Sequence, residues 1–307
     1  MSVLHTPVLL EQAVRWLRIR PEGTYVDATV GTGGHALEIA RRLTTGRLVG
    51  LDRDPRALEI ARERLKPYEQ RVTLVRSRFS KIDDVKSGLK LPQLDGVLAD
   101  LGVSSLELDS PERGFSFRSA GPLDMRMDAD EPLTAADIVN HWPEKDLANL
   151  LYEKGEERDS RRIARAIVRA RPIRDTEHLA TVVAGVRKAR GRQKLHPATK
   201  TFLALRIAVN RESEELEQFL SRTPATLSSG ARWVVLSYHS LEDRLVKRSF
   251  QVLARCGGFR ILTKKVERPT EQEIHANPRA RSAKLRVIEK ITPADVVDDG
   301  PEEPSAA

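Results

Sequence analysis

VDATVGTGGH, residues 26–35, carries an apolar run, an acidic residue and clustered glycines in the order that opens a nucleotide-binding domain. Gly31, Gly33 and Gly34 follow an expected strand and precede an expected helix, a context that lifts a glycine cluster above coincidence. Yet the G-x-G-x-x-G spacing of a dinucleotide site is missing, and so is the G-K-[ST] of a triphosphate loop. Asp27 stands just before the turn, where its charge disfavours phosphates and suits a ligand with a cationic end. The next strand ends in Asp52, 19 positions after Gly33, where a carboxylate can accept hydrogen bonds from ribose hydroxyls. S-adenosylmethionine, with a sulfonium, an ammonium and no phosphate, fits this set better than NAD. The plainer alternative is that the glycines only make a tight strand-to-helix connection. Phe79, just past the third strand, either packs beside an adenine or belongs to the core.

Working outward, the first hundred residues alternate strand and helix signals, the pattern of a parallel sheet covered by helices. TYVDATVG (24–31), RLVGLD (47–52), VTLVRS (72–77) and LDGVLAD (94–100) read as strands buried on both faces. GGHALEIARRL and DPRALEIARERL between them have apolar residues at helical spacing, and Asp54 before Pro55 is an N-cap signal. From about 108 to 200 no convincing strand occurs; strand signals return at 231–240, 259–265 and 284–290. The expected organisation is an α/β domain, 1–108 with 205–295, interrupted by a mostly helical insertion, 109–204. The acidic tail 296–307 is expected to be disordered.

The 307 residues are 40% hydrophobic and 31% charged, and no apolar run approaches the roughly 20 residues of a membrane span. The N-terminus lacks a signal-peptide pattern, so a soluble, cytoplasmic protein is expected. A single cysteine, Cys256, excludes an internal disulfide framework and a multi-cysteine zinc site, and the seven histidines show no ligand spacing, so no metal is expected. Fifty-two Lys and Arg against 44 Asp and Glu, a formal +8, favour a polyanionic partner. Arg158, Arg162, Arg165 and Arg169 recur at helical spacing, with Ile163, Ala166, Ile167 and Ala170 as the apolar stripe behind them. Further basic clusters lie at 187–200 and 277–284. Each cluster alone reads equally as a solvated face; three of one sign favour nucleic acid.

Asp100 ends the fourth strand, at the edge of an open α/β sheet where ligands collect. With a methyl donor in place, a carboxylate here can hydrogen-bond an acceptor amine and turn its lone pair toward the methyl carbon, a task of positioning. A turn or cap role is the alternative. His239, at the end of the strand at 231–240, can relay the proton shed by the amine or be structural. Cys256 precedes Gly257 at the expected end of a helix, where the dipole opposes a thiolate. Covalent addition to a pyrimidine is therefore disfavoured, and an exocyclic nitrogen is the better acceptor.

The segments HTPVLLEQAV, DATVGTGGHA, GLDRDP, DLGVSS, ERGFSFR, GPLDMRMD, GEER, HPATKTFLALRIAVN, SYHSLEDR and NPRARSAKLR closely resemble bacterial small-subunit ribosomal RNA cytosine-N4 methyltransferases of the MraW type, from His5 to about Arg286. The resemblance implies a seven-stranded class I S-adenosylmethionine-dependent methyltransferase sheet with an inserted helical RNA-substrate domain, acting on a decoding-region cytidine in an assembled or late-assembling small subunit. It implies cofactor contacts at Gly33, Gly34, His35, Asp52, Phe79 and Asp100. Where the family reads SSPQLD this chain has SSLELD, so Glu107 replaces a cofactor-binding glutamine and can accept but not donate. Many amine methyltransferases carry an aromatic three places after the strand-end Asp. Val103 stands there, leaving Phe115, Phe117 or Tyr238 to stack on a target base that must leave its own stack. Methylation of another RNA, or a ribosome-assembly role with a vestigial pocket, are the alternatives.

Overall fold

A computed structural model gives the fold, and the description covers residues 7–187 and 196–291. The expected disordered tail, 296–307, and residues 188–195 of the second basic cluster lie outside the described residues. The chain divides into two compact units, residues 1–102 with 215–307, and residues 103–214. The division falls outside the 108 and 205 read from sequence, because Val103, Leu108 and the helix Thr199–Asn210 contribute to the second unit's core.

Seven strands form the first unit's sheet: β1 Thr24–Asp27, β2 Arg47–Asp52, β3 Val72–Arg76, β4 Leu94–Asp100, β5 Leu227–Ser237, β6 Phe259–Ile261 and β7 Lys284–Lys290. Their order is β3-β2-β1-β4-β5-β7-β6, with β7 antiparallel to both neighbours and the pairs from β3 to β5 parallel. This is the class I methyltransferase sheet. Period-two alternation splits the strand residues between two cores. Tyr25, Leu48, Leu98, Val234 and Leu285 face the helices Leu10–Leu17, Gly34–Arg42 and Pro55–Leu65. Val26, Val49, Val97, Trp233 and Ile288 face Ile82–Gly88, the first-unit part of Glu212–Thr226, and Ser240–Arg255. On that side Trp233, fully buried, touches Phe219 and Phe250 with ring centroids 5.3 and 5.1 Å away.

Three strand expectations are corrected. β1 stops at Asp27, where the chain leaves the sheet for the glycine turn, and the stretch expected at 259–265 pairs only over Phe259–Ile261. β3 lies at the sheet edge and is only half buried, so the doubly covered strand expected at 72–77 has solvent along one side. Asp54 caps Pro55–Leu65 as expected, accepting from Arg56 N at 2.9 Å.

In the second unit no strand occurs among the described residues. Five helices of seven or more residues, Ala135–His141, Glu144–Glu153, Ser160–Arg169, Thr176–Arg187 and Thr199–Asn210, surround a core that includes Ile138, Leu147, Leu151, Ile163 and Leu205. The irregular stretch before them is pinned by Asn210, whose Oδ1 accepts from Met127 N at 2.8 Å and whose Nδ2 donates to Met125 O at 2.7 Å. Arg113 adds bonds to the carbonyls of Arg126 and Met127, 2.9 and 3.0 Å. The sequence GPLDMRMD is thus an ordered loop built on side chain to backbone bonds.

Candidate active site

Because β1, β2, β4 and β5 run parallel, their carboxyl ends share one sheet edge, and the strand order reverses between β1 and β4. That reversal opens the crevice in which α/β sheets hold ligands. It brings together Asp27, Asp52, Asp100 and the residues after Ser237.

The turn after Asp27 needs left-handed backbone at Gly31, φ +50°, and at Gly33, φ +82°, which caps the helix Gly34–Arg42. A Cβ on Gly31 would meet only Thr29 O, at 3.9 Å, so the backbone there is open to an approaching group. Gly34 is different. A Cβ there would overlap the Pro7 ring, so its lack of a side chain lets the N-terminal segment pack against the turn. Asp52 ties the turn to β2, Oδ2 accepting from Gly31 N and Oδ1 from Asp54 N, both at 2.9 Å. Burial nonetheless raises its pKa above the usual carboxylate value.

Asp27 is 1% exposed. Oδ1 accepts from Thr29 N at 3.2 Å, whereas Oδ2 is buried without a hydrogen-bond partner. Burial first, then the charges of Asp100 and Asp52, push its pKa up to about 7. Asp100 is held from the segments that follow β1 and β5: its N donates to Thr29 Oγ1 at 2.6 Å, and Tyr238 Oη donates to its Oδ1 at 2.7 Å. Burial and the Asp100 charge keep the Tyr238 phenol well above its usual pKa, so it remains a donor. His35 Nδ1 lies 3.7 Å from Asp100 Oδ2, and its Nε2 lies 3.1 Å from Val8 O. Burial lowers the pKa of this imidazole.

His239 is occupied differently. It caps Ser240–Arg255, Nδ1 accepting from Glu242 N at 3.4 Å, with Nε2 3.0 Å from the Glu242 carboxylate. Phe79 opens a turn of 3-10 helix and meets Phe219 edge-on at 5.2 Å, so it is half core and half exposed. Sequence reading missed Glu215, which binds Arg78 at 2.6 Å and the Ser80 hydroxyl, fixing the residues on both sides of Phe79. It also missed the Tyr238 bond to Asp100. No local pattern announces either, since the partners are 137 and 138 positions apart.

The remaining candidates belong to the second unit. Glu107 is buried, accepts from Ser104 N at 2.7 Å and from its hydroxyl at 3.1 Å, and lies 3.9 Å from Arg113. Ser104 returns a bond by accepting from Glu107 N at 3.2 Å, which makes a capping box where Glu and Gln serve alike. Phe115 is 7% exposed within the core, so the base-stacking role considered for it is withdrawn. Phe117 already stacks on His196 at 4.5 Å and meets Phe202 at 4.9 Å, and Val103 packs on the same core.

The basic clusters sort unequally. Arg158, Arg161, Arg162, Arg165 and Arg169 are all exposed; the helix starts at Ser160, so Arg158 precedes it, and Ser160, Ile163, Ala164 and Ile167 form its buried side. Ala164 thus does what was expected of Ala166. In the cluster at 277–284 Lys284 is bound to Asp243 at 2.9 Å, a structural use, while Arg281 is exposed. Cys256 is exposed and caps the end of Ser240–Arg255. No helix among the described residues is long and apolar enough to cross a membrane.

The model of the MraW methylase family matches residues 2–291. Ribosomal RNA small subunit methyltransferase H of Solibacter usitatus is 52% identical over 286 residues, covering 93% of this chain and 99% of that protein. The protein of that name from Koribacter versatilis is 50% identical over 292 residues, 92% of each chain. That from Cyanothece sp. is 50% identical over 288 residues, 94% of this chain and 95% of the other.

Proposed function

Because the chain belongs to the MraW methylase family, we propose that it methylates the N4 amine of a cytidine in the decoding region of small-subunit ribosomal RNA, with S-adenosylmethionine as donor. The relatives named for small-subunit ribosomal RNA, matched end to end, supply the substrate class. The observation that carries the chemistry is Asp100, anchored at the end of β4 by Tyr238 and Thr29 beside a second acceptor, His35.

The residues present fit this cofactor. A buried carboxylate oxygen on Asp27 lacks a partner, and a cationic ligand relieves it. Gly33, Gly34, His35, Asp52, Phe79 and Asp100 would hold the cofactor. Once bound, S-adenosylmethionine supplies a methyl carbon already activated by its sulfonium. Asp100 accepts an N–H of the target amine, turns its lone pair toward that carbon, and then receives the proton the amine sheds. His239 is left to its helix cap. No metal ion has a part in this scheme. The exposed arginines of Ser160–Arg169 meet phosphates. The setting is cytoplasmic, on an assembled or late-assembling small subunit.

Incubation with labelled S-adenosylmethionine and unmodified small subunits, followed by nucleoside mass spectrometry, tests this. Labelled N4-methylcytidine is expected. Label in another nucleoside, or only in another RNA, would overturn the substrate; no label despite cofactor binding would favour an assembly role.

A further inference from the structure

We propose that the excursion between β6 and β7, residues 262–283, is a docking surface in the first unit for RNA backbone phosphates beside the target nucleotide. The inference deepens the RNA-methylation reading above and rests on it. β7 runs antiparallel to β5 and begins beside its end, with Lys284 opposite Ser237. β6 is antiparallel to β7 in turn, so it ends toward the same edge, with Ile261 opposite Ile288. The excursion therefore leaves and re-enters the sheet at the carboxyl edge. There Tyr238, next after Ser237, bonds Asp100 at 2.7 Å.

Charge is sorted across this excursion. Its acidic residues are Glu267, Glu271 and Glu273, and two of them are turned inward. Glu267 accepts from Trp16 Nε1 at 2.7 Å and from Arg15 Nη2 at 3.2 Å, and its backbone pairs with Leu285 in both directions, at 3.2 and 3.0 Å. Glu273 Oε1 accepts from Leu9 N at 2.7 Å. Only Glu271 faces solvent, in the first turn of Glu271–Ala276. Lys264, Lys265, Arg268 and Arg281 are all exposed, and among the described residues none has a carboxylate at ion-pairing distance. A merely solvated face mixes both signs at its surface; here the acids are spent on the interior and the cations are left outside. Their support is tied to the reacting end of the sheet. Glu273 holds Leu9, the adjoining Val8 carbonyl lies 3.1 Å from His35 Nε2, and His35 Nδ1 lies 3.7 Å from Asp100. A base that leaves its stack to reach this edge brings its flanking phosphates with it, and unpaired cations mounted there fit them.

The test compares two triple variants of the full chain in binding small-subunit RNA across a salt series. Lys264→Ala, Lys265→Ala and Arg268→Ala together remove three charges from the excursion. Arg47→Ala, Arg62→Ala and Lys66→Ala together remove three exposed charges at the start of β2 and the end of Pro55–Leu65, toward the opposite edge of the sheet. The excursion variant is expected to lower the slope of log affinity against log salt by about two to three, and affinity at 100 mM salt by about 100-fold. Its KM for RNA rises accordingly, with kcat at saturating RNA within about threefold of wild type, because these side chains do not touch the reacting atoms. The opposite-edge variant is expected to shift the slope by less than about half a unit. Both variants should bind S-adenosylhomocysteine within about threefold of wild type, as surface substitutions on an intact fold. An unchanged slope in the excursion variant overturns the proposal, and so does an equal fall in both variants, which would reduce the effect to net charge. A wild-type enzyme that makes no N4-methylcytidine would instead refute the function from which the inference starts.

Discussion

Asp27 has fewer donors than its burial demands, and that deficit has a sign. Its pKa is held at about 7 against an ordinary 3.8, so the native state binds the proton more tightly than the unfolded chain. The contribution of Asp27 to stability is therefore greatest below about pH 4, falls as pH rises through the window up to 7, and levels off above it, a loss of about 4 kcal/mol from this one group in the ligand-free protein. The groups facing it are Asp52 and Asp100, both acidic, while Thr29 N donates to its carboxylate. Asp27→Asn is expected to raise the melting temperature at pH 8, to flatten the pH dependence between 4 and 7, and to weaken S-adenosylmethionine binding at least tenfold. Calorimetric melts across pH read the first two, and a variant melting below the wild type at pH 8 would contradict them. Tyr238→Phe removes the donor that favours ionised Asp100. The acid limb of the pH–rate profile should move up by about one unit and kcat fall about tenfold, with S-adenosylhomocysteine affinity unchanged. Superimposable profiles would return Tyr238 to the list of stacking candidates.

Elements explain which of these residues could be read in advance. β2, β4 and β7 begin and end at the residues expected, so the strand-end positions of Asp52 and Asp100 were legible. β3 failed as a doubly buried strand because composition carries no information on which strand lies at an edge. His239 was ambiguous for a related reason: a histidine after a strand reads alike as base or cap, and the cap on Ser240–Arg255 shows only with the helix in place. Asn is a better N-cap than His, so His239→Asn should retain methylation within about threefold of wild type and leave the melting temperature unchanged or raised. A loss of two orders of magnitude in kcat with the fold intact would restore His239 to the chemistry. The pairings that complete the site, Tyr238 with Asp100 and Glu215 with Arg78 and Ser80, join positions remote in sequence and became visible only with the fold.

Across the whole molecule the positive charge is not where the arginine-rich insertion suggests. Residues 103–214 hold 20 Lys and Arg against 18 Asp and Glu, whereas the rest of the chain holds 32 against 26. The insertion is nearly neutral, and its exposed arginines on Ser160–Arg169 are a local face on a balanced body. Most of the excess that attracts a polyanion belongs to the first unit, where Arg281 is exposed although its neighbour Lys284 is committed to Asp243. Phosphate contacts release counterions, so each one lost lowers the slope of log affinity against log salt by about 0.7 to 0.9. Arg161→Ala with Arg169→Ala should weaken binding of small-subunit RNA about uniformly across sequences and reduce that slope by about one to two. Arg281→Ala should reduce it by about one more. Filter binding between 50 and 300 mM salt measures all of this, with S-adenosylhomocysteine affinity as the control for folding. If Arg281→Ala leaves the slope unchanged while the insertion pair abolishes most of it, the RNA is gripped by the helical unit alone, and the basic surplus of the first unit governs approach and not contact.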